Sequence, residues 1–269
     1  MIVLKVGGDV FKSGLNQTLA EDVKRVLESE KLVVVHGGGD EVTEIAEKLG
    51  KKQIFVTSPK GIKSRYTDKE TVEIYTMVMA GKVNKAIVKW LLSHEIPAVG
   101  LSGIDGRLLL ANRKKRLVII DERGRRRIIE GGYTGKINVV NSKLLEILIK
   151  NGYVPVVSPI ALGEENEYLN VNGDRAAAQI AGALKAEKVI FLTDVSGVWL
   201  GEKCLKRLSL KEAKEILPKI GPGMNMKLIA SIEALESGVK EAVIASGLID
   251  EPITGALKGL NGTVISCEA

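Results

Sequence analysis

The sequence predicts an α/β fold on a mainly parallel sheet, and three observations carry that prediction. Short apolar, β-rich runs alternate with amphipathic helical patterns, the signature of successive βαβ units. Two of those runs, Ile2-Val3-Leu4-Lys5-Val6 and Leu32-Val33-Val34-Val35-His36, pass straight into glycines, Gly7-Gly8 and Gly37-Gly38-Gly39. Finally, 45% of the 269 residues are hydrophobic and only 4% aromatic, a globular balance that suits one large α/β unit or two lobes.

In chain order, strands are expected at 2–6, 32–36, 97–101, 154–158, 189–193, 242–246 and 263–267. Between them, helical periodicity marks 17–30, 40–49, 68–80, 84–95, 142–151, 174–184, 210–217 and 226–237. Val42, Ile45, Ala46 and Leu49 recur at helical spacing, so the second glycine run sits at a helix N-terminus. Thr67-x-x-Glu70 and Ser209-x-x-Glu212 read as capping boxes. Gly152 and Gly238 stand where a helix C-terminal glycine belongs. The stretch 107–130 breaks this rhythm: short strands with turns at Arg113-Lys114-Lys115 and Glu122-Arg123-Gly124 make a β-hairpin excursion. A change of lobe is expected near 160–173, around the polar Gly163–Glu167 loop, which separates a lobe of residues 1–172 from one of 173–269.

The net charge of +6 is not spread evenly. Between Arg107 and Lys136, ten lysines and arginines face only Asp121, Glu122 and Glu130, a local +7 that accounts for the whole surplus. A patch so confined points to a specific acidic partner. Nucleic acid is a poor fit, because Tyr133 is the one aromatic residue between 107 and 136 and stacking platforms are missing. Cys204 and Cys267 are far apart and the chain holds two histidines, so neither a disulfide framework nor a zinc site is expected. No apolar run approaches the roughly 20 residues that span a bilayer, and no signal-peptide pattern opens the chain. A cytoplasmic protein is the expectation.

The glycines allow backbone to lie against a ligand and aim consecutive N–H groups at it. At a helix N-terminus those groups and the dipole favour an anion, and Lys5 adds a full charge. Plain turn chemistry is the alternative for each glycine run taken alone. Neither run has the G-x-G-x-x-G spacing of a dinucleotide fold, and Gly132-Tyr133-Thr134-Gly135-Lys136 fails the Walker pattern. Further on, Asn170 and Asn172 alternate before Asp174, able to cap a helix or to donate to substrate oxygens. Thr193, Asp194 and Gly197 close the run 189–193 at its carboxyl end, where open α/β sheets bind ligands. Lys227 follows Gly221-Pro222-Gly223 in the first turn of a helix, where a cation opposes the dipole. That placement suggests a lysine kept for a ligand.

Taken in order, Lys5-x-Gly7-Gly8, His36-Gly37-Gly38-Gly39, Arg65, Asn170-x-Asn172-x-Asp174, Thr193-Asp194-Val195-Ser196-Gly197 and Gly223-Met224-x-x-Lys227 resemble the amino acid kinase family, acetylglutamate kinase branch. The resemblance spans nearly the whole chain. It implies a three-layer sandwich like that of carbamate kinase and ATP-dependent phosphorylation of a side-chain carboxylate. Carried over, Lys5 and Lys227 would stabilise the transferring phosphoryl group and Asp174 would hold them. Gly7, Gly8, Gly38 and Gly39 would supply N–H groups to phosphate and substrate. Arg65, Asn170 and Asn172 would hold the amino-acid end, and Thr193, Asp194 and Gly197 would border ATP, whose Mg²⁺ is held mainly by the nucleotide phosphates. A homodimer is also implied.

Within that branch, Gly100-Leu101-Ser102-Gly103-Ile104-Asp105-Gly106 and Gly131-Gly132-Tyr133-Thr134-Gly135-Lys136-Ile137 are similar to kinases acting on an amino-group carrier protein. There the amino group of aminoadipate or glutamate is attached to the C-terminal glutamate of a small acidic carrier. The basic segment, through Arg113, Lys114, Lys115, Arg116, Arg125, Arg126, Arg127 and Lys136, would be its dock. The alternatives are an acetylglutamate kinase with a free substrate, or a catalytically silent amino-acid sensor. Retention of Lys5, Lys227 and Asp174 argues against the sensor.

Overall fold

All seven expected strands lie in one eight-stranded sheet, which the short strand Arg207–Ser209 completes. The computed structural model describes residues 1–12 and 16–268. Across the sheet the order is Arg207–Ser209, Thr263–Ser266, Glu241–Ser246, Lys188–Thr193, Ile2–Val6, Leu32–His36, Val154–Ser158, Ala98–Ser102. Neighbours run parallel except where Glu241–Ser246 meets Thr263–Ser266. The chain builds outward from Ile2–Val6 to one side, then crosses to Lys188–Thr193 on the other. Ligands bind in open α/β sheets at the carboxyl ends flanking such a reversal.

Period-two alternation sorts the strand side chains between two layers of helices. Ile2, Leu4, Val34, Ile190 and Leu192 pack with the helices Gln17–Leu27, Gly39–Lys48, Lys69–Thr76, Asn84–Ser93 and Pro252–Leu257. Val3, Val33, Val35, Val189 and Phe191 pack with Lys143–Lys150, Gly173–Ala183, Leu210–Ile216 and Met224–Glu236. This is the three-layer sandwich that the sequence led us to expect. Among the described residues no helix is long and apolar enough to cross a membrane.

Four expectations change. First, the helices placed at 68–80 and 84–95 form one run, joined by a π-helix over Met77–Val83. The widened turn sets Met79 and Val83 against the backbone of Gly38. Second, Thr67 is not a cap: Asp68 caps that helix by accepting from Thr71 N at 2.8 Å, while Thr67 turns inward and its Oγ1 accepts from Asn170. Ser209 and Glu212 do form their capping box. Third, the stretch 107–136 is not one hairpin but parts of two sheets. Leu109–Arg113 pairs with Gly135–Val140, beside Ile160–Leu162 and Tyr168–Asn170. Arg116–Ile120 and Arg126–Glu130 form the hairpin proper, turning at Gly124 (φ +73°) and joining a second hairpin, Ile54–Thr57 with Lys63–Tyr66. Where the chain changes sheets, Gly131 lies against the Lys114 carbonyl with no room for a Cβ. Fourth, the Ile54–Tyr66 hairpin and the short helices Gly8–Lys12 and Pro252–Leu257 were not foreseen.

Candidate active site

Lys5 shares the strand face of Val3, so its side chain enters the layer of Gly173–Ala183 and Met224–Glu236. There Asp174, at the start of one helix, meets Lys227 from the first turns of the other. Lys5 Nζ lies 2.9 Å from Asp174 Oδ1 and Lys227 Nζ 3.4 Å from Asp174 Oδ2. All three are sheltered, with side-chain exposures of 8%, 7% and 13% for Lys5, Asp174 and Lys227. Burial alone would raise the Asp174 carboxyl, but the two ammonium groups outweigh it and hold it below the usual carboxylate range. Burial, with Lys5 close by, pulls the Lys227 ammonium below its ordinary value, against the opposing pull of Asp174. The cluster therefore carries two positive charges for one negative.

The two glycine runs meet beside this cluster. A Cβ on Gly37 would fall 3.1 Å from Gly8 N, and one on Gly8 3.4 Å from Gly38 N, so the two loops pass backbone to backbone. Gly38 sits at φ +141°. Gly7 does not play the part expected of it: its N–H donates to Leu192 O at 3.0 Å, closing the turn. Gly8 and Gly39 open helices and Gly38 stands just before the second, where first-turn N–H groups have no intrahelical acceptor. His36 braces the second loop from below. Its Nδ1 donates to Gly37 O at 2.9 Å, and its Nε2 accepts from Asn84 Nδ2 at 3.2 Å. Burial pushes the imidazole down to about 4, which fits a neutral structural ring.

Arg65 is buried in the wall of a cavity of about 340 Å³ that also holds Lys5, Gly38, Asn170 and Asp174. Its Nη2 donates to Gly39 O at 2.6 Å and to Thr43 Oγ1 at 2.9 Å, its Nη1 to Gln53, and its plane lies over Phe55. No carboxylate among the described residues pairs with it, and burial lowers its proton affinity. A buried, unneutralised guanidinium is suited to a ligand carboxylate. Asn170 Nδ2 is held by Thr67 Oγ1 at 3.0 Å at the same wall. Asn172 also lines the cavity, and its Oδ1 caps the helix by accepting from Arg175 N at 3.0 Å.

At the carboxyl end of Lys188–Thr193, Thr193 Oγ1 donates to Asp194 Oδ1 at 3.0 Å, and Asp194 is close enough to raise the Lys227 ammonium. Gly197 has a packing reason to be glycine: at φ +148° its Cβ would fall 2.6 Å from Thr263 Oγ1.

The basic side chains divide into three groups. Arg113 stacks 4.2 Å over Tyr133 and donates to Gly132 O; Arg125 and Arg127 are bound to Asp121. Lys115, Arg116 and Arg126 stand exposed. Lys114 and Lys136 line a second cavity that adjoins the first. Sequence reasoning passed over Lys63, Thr67, Phe55 and Asn84. Lys63 stands two residues before Arg65 and shares its strand face, but the hairpin that places both was not legible in the sequence.

Residues 1–246 match the model of the amino acid kinase family. A Cenarchaeum symbiosum (strain A) protein is 57% identical over 265 residues, covering 98% of this chain and 99% of its own, and is provisionally named a LysW-aminoadipate/LysW-glutamate kinase. The Saccharolobus solfataricus protein of that name is 51% identical over 267 residues, covering 99% of both chains. Among solved structures, smu.665 of Streptococcus mutans UA159 superposes with a TM-score of 0.80 at 23% identity over 99% of this chain and 98% of its own. Giardia carbamate kinase gives 0.69 at 16% over 100% and 99%; both speak to fold alone. The chain is a phosphotransferase that belongs to the amino acid kinase family.

Proposed function

We propose that this kinase transfers the γ-phosphoryl group of ATP to the side-chain carboxylate of aminoadipate or glutamate whose amino group is borne by a small acidic carrier protein. The Lys5–Asp174–Lys227 cluster beside the unpaired Arg65 is the observation that carries the reading. A carboxylate nucleophile, with an ordinary pKa of about 4.3, is already ionised at pH 7, so no general base is required. What the reaction does require is stabilisation of charge spread over the phosphoryl oxygens. In this reading Lys5 and Lys227 face that charge from two sides, Asp174 fixes their separation, and the amides of Gly8, Gly38 and Gly39 hold phosphate. Arg65, Asn170 and the Asn172 amide hold the amino-acid end. Thr193 and Asp194 border the nucleotide, with Gly197 shaping the turn beside them. Residues 1–172 then form the amino-acid lobe and 173–269 the nucleotide lobe.

Two lysines and first-turn amides suit nucleotide phosphates. Among the described residues no cluster of His, Cys, Asp or Glu is arranged to hold a metal ion, so Mg²⁺ would be held chiefly by the phosphates. When bound it neutralises part of their charge. The local +7 segment supports the acidic carrier, with Lys115, Arg116 and Arg126 as its exposed dock. The names of the relatives support the same partner. A homodimer rests on the family resemblance.

The test is ATP turnover against carrier-linked aminoadipate, carrier-linked glutamate and free acetylglutamate, at low and moderate salt. Carrier-linked compounds are turned over, and their rate falls with salt because the dock is electrostatic. Robust turnover of acetylglutamate with none of the carrier-linked compounds refutes the reading.

A further inference from the structure

Three glycines in a row let the second loop come close to a ligand, and they also leave it free to turn. The peptide unit between Gly37 and Gly38 has no Cβ on either side, so nothing local opposes its rotation. That unit is trans, so its C=O and N–H point in opposite directions. Whatever fixes the Gly37 carbonyl therefore aims the Gly38 N–H. His36 fixes it, with Nδ1 2.9 Å from Gly37 O. A carbonyl only accepts, so Nδ1 carries the proton and Nε2 of the neutral ring is an acceptor. Asn84 Nδ2 meets that acceptor at 3.2 Å, and also donates to Val156 O at 2.9 Å and Leu101 O at 3.3 Å. The two carbonyls fix which way the amide faces, and the amide fixes the tautomer of His36. One side chain thus ties the carboxyl ends of three adjacent strands, Leu32–His36, Val154–Ser158 and Ala98–Ser102, to the glycine loop. The sequence makes room for it: a Cβ on Gly100 would fall 2.1 Å from Asn84 Oδ1. The π-helix supplies a second grip, because Met79 and Val83 press on Gly38 and Asn84 follows directly. His36 and Asn84 are buried, at 1% and 0% exposure, and neither lines the cavity.

We propose that His36 and Asn84 are positioning residues for phosphoryl transfer, holding the 37–38 peptide so that the Gly38 N–H faces the transferring group. This role rests on the reading, under the proposed function, of the glycine amides as phosphate donors. The start of the loop is already anchored, since Gly37 N donates to Val6 O at 2.8 Å. A Cβ on Gly37 would fall 3.5 Å from Lys5 Nζ, so the peptide that His36 locks adjoins the Lys5–Asp174–Lys227 cluster. No acceptor among the described residues takes up the Gly38 N–H. A donor oriented in advance costs no reorganisation when charge develops opposite it. Without the brace, a loop of the same three glycines would sample both orientations of this peptide, and only one of them presents the N–H.

The test compares variants on whichever acceptor the unaltered enzyme turns over fastest among carrier-linked aminoadipate, carrier-linked glutamate and N-acetylglutamate. That choice judges the proposed function before any variant is made. His36→Phe keeps a ring and loses the donor, whereas His36→Asn keeps an N–H close to the place of Nδ1. In His36→Phe, kcat should fall by about tenfold to a hundredfold, the effect of a misdirected transition-state donor. KM for the acceptor should stay within about twofold, because the amide acts on the transferring group. His36→Asn should recover most of the loss. A side chain that only fills space predicts the reverse order, since Phe keeps the ring and Asn does not. Asn84→Ala should also lower kcat, and should lower it little further when combined with His36→Phe, because both act through one peptide. Thermal unfolding checks that each variant is folded; if His36→Phe is not, Asn84→Ala carries the test with the same kcat and KM outcomes. An unchanged kcat in a folded His36→Phe or Asn84→Ala protein, or a His36→Asn rate as low as that of His36→Phe, overturns the positioning role. Turnover of carrier-linked substrate by the unaltered enzyme would still leave the proposed function standing.

Discussion

Replacing Asp174 by Asn removes the one negative charge from the Lys5–Lys227 cluster while keeping its volume. At an effective dielectric of about 20, unit charges at 2.9 and 3.4 Å attract by about 6 and about 5 kcal/mol respectively. Most of that attraction offsets the desolvation of three ions and the mutual repulsion of the lysines. What the variant loses is the compensation, since two sheltered ammonium groups then face each other alone. Breaking a buried pair in this way costs about 3–5 kcal/mol. Urea denaturation at pH 7 should show a loss of that size, and ATP turnover should collapse because the lysines lose their separation. The pH dependence has a definite sign. The folded carboxyl sits below its unfolded value, so its stabilisation is complete above the ordinary carboxylate range and disappears as pH falls through the folded value. The gap between the two proteins should therefore narrow in acid. A loss under about 1 kcal/mol with turnover intact would refute the electrostatic account of this cluster.

Lys227→Met should lower kcat by about 10²–10³ with little change in KM for the amino acid, because its charge meets the transferring group; rapid-quench measurement of phosphoryl transfer decides this. Arg65→Gln should raise KM for the amino-acid substrate by about tenfold or more, since a planar cation facing a carboxylate is lost; an unchanged KM would detach Arg65 from the substrate. Gly38→Ala should destabilise by about 1–3 kcal/mol in thermal unfolding, because φ is +141° and a Cβ would press within 3.2 Å of Met79 Sδ and Val83 Cγ2. Buried His36 titrates near 4 rather than 6.5, so only the unfolded chain gains its proton between those values. Stability should fall by about 3 kcal/mol from this residue as pH drops from 6.5 to 4, and His36→Asn should flatten that slope.

The central sheet was legible because its strands are buried on both faces and read as unbroken apolar runs. Leu32–His36 and Val154–Ser158 are buried throughout, and both were placed to the residue. The hairpin Ile54–Tyr66 was not, since its strands are largely exposed and alternate poorly. At 107–136 the Gly124 turn was visible locally, yet no local signal says that Leu109–Arg113 pairs with Gly135–Val140 rather than with the next strand. Thr67 and Asp68 were both able to cap. Asn170, 103 residues away, engages the Thr67 hydroxyl and leaves the cap to Asp68.

By itself the sequence determined which groups were available and which strand face each occupies. Period-two alternation puts Lys5 with Val3, and helix-opening glycines put donors at strand ends. Only the tertiary structure decided which of them meet. Lys5, Asp174 and Lys227 come within hydrogen-bonding reach because Ile2–Val6 is flanked by both Leu32–His36 and Lys188–Thr193, with two helices laid over that seam. The same folding used up the Gly7 amide, bound Arg125 and Arg127 to Asp121, and left Lys63, Lys114 and Lys136 unpaired around one cavity. Composition counts charges; only packing determines which of them are neutralised, because pairing depends on distances the chain sets across its whole length.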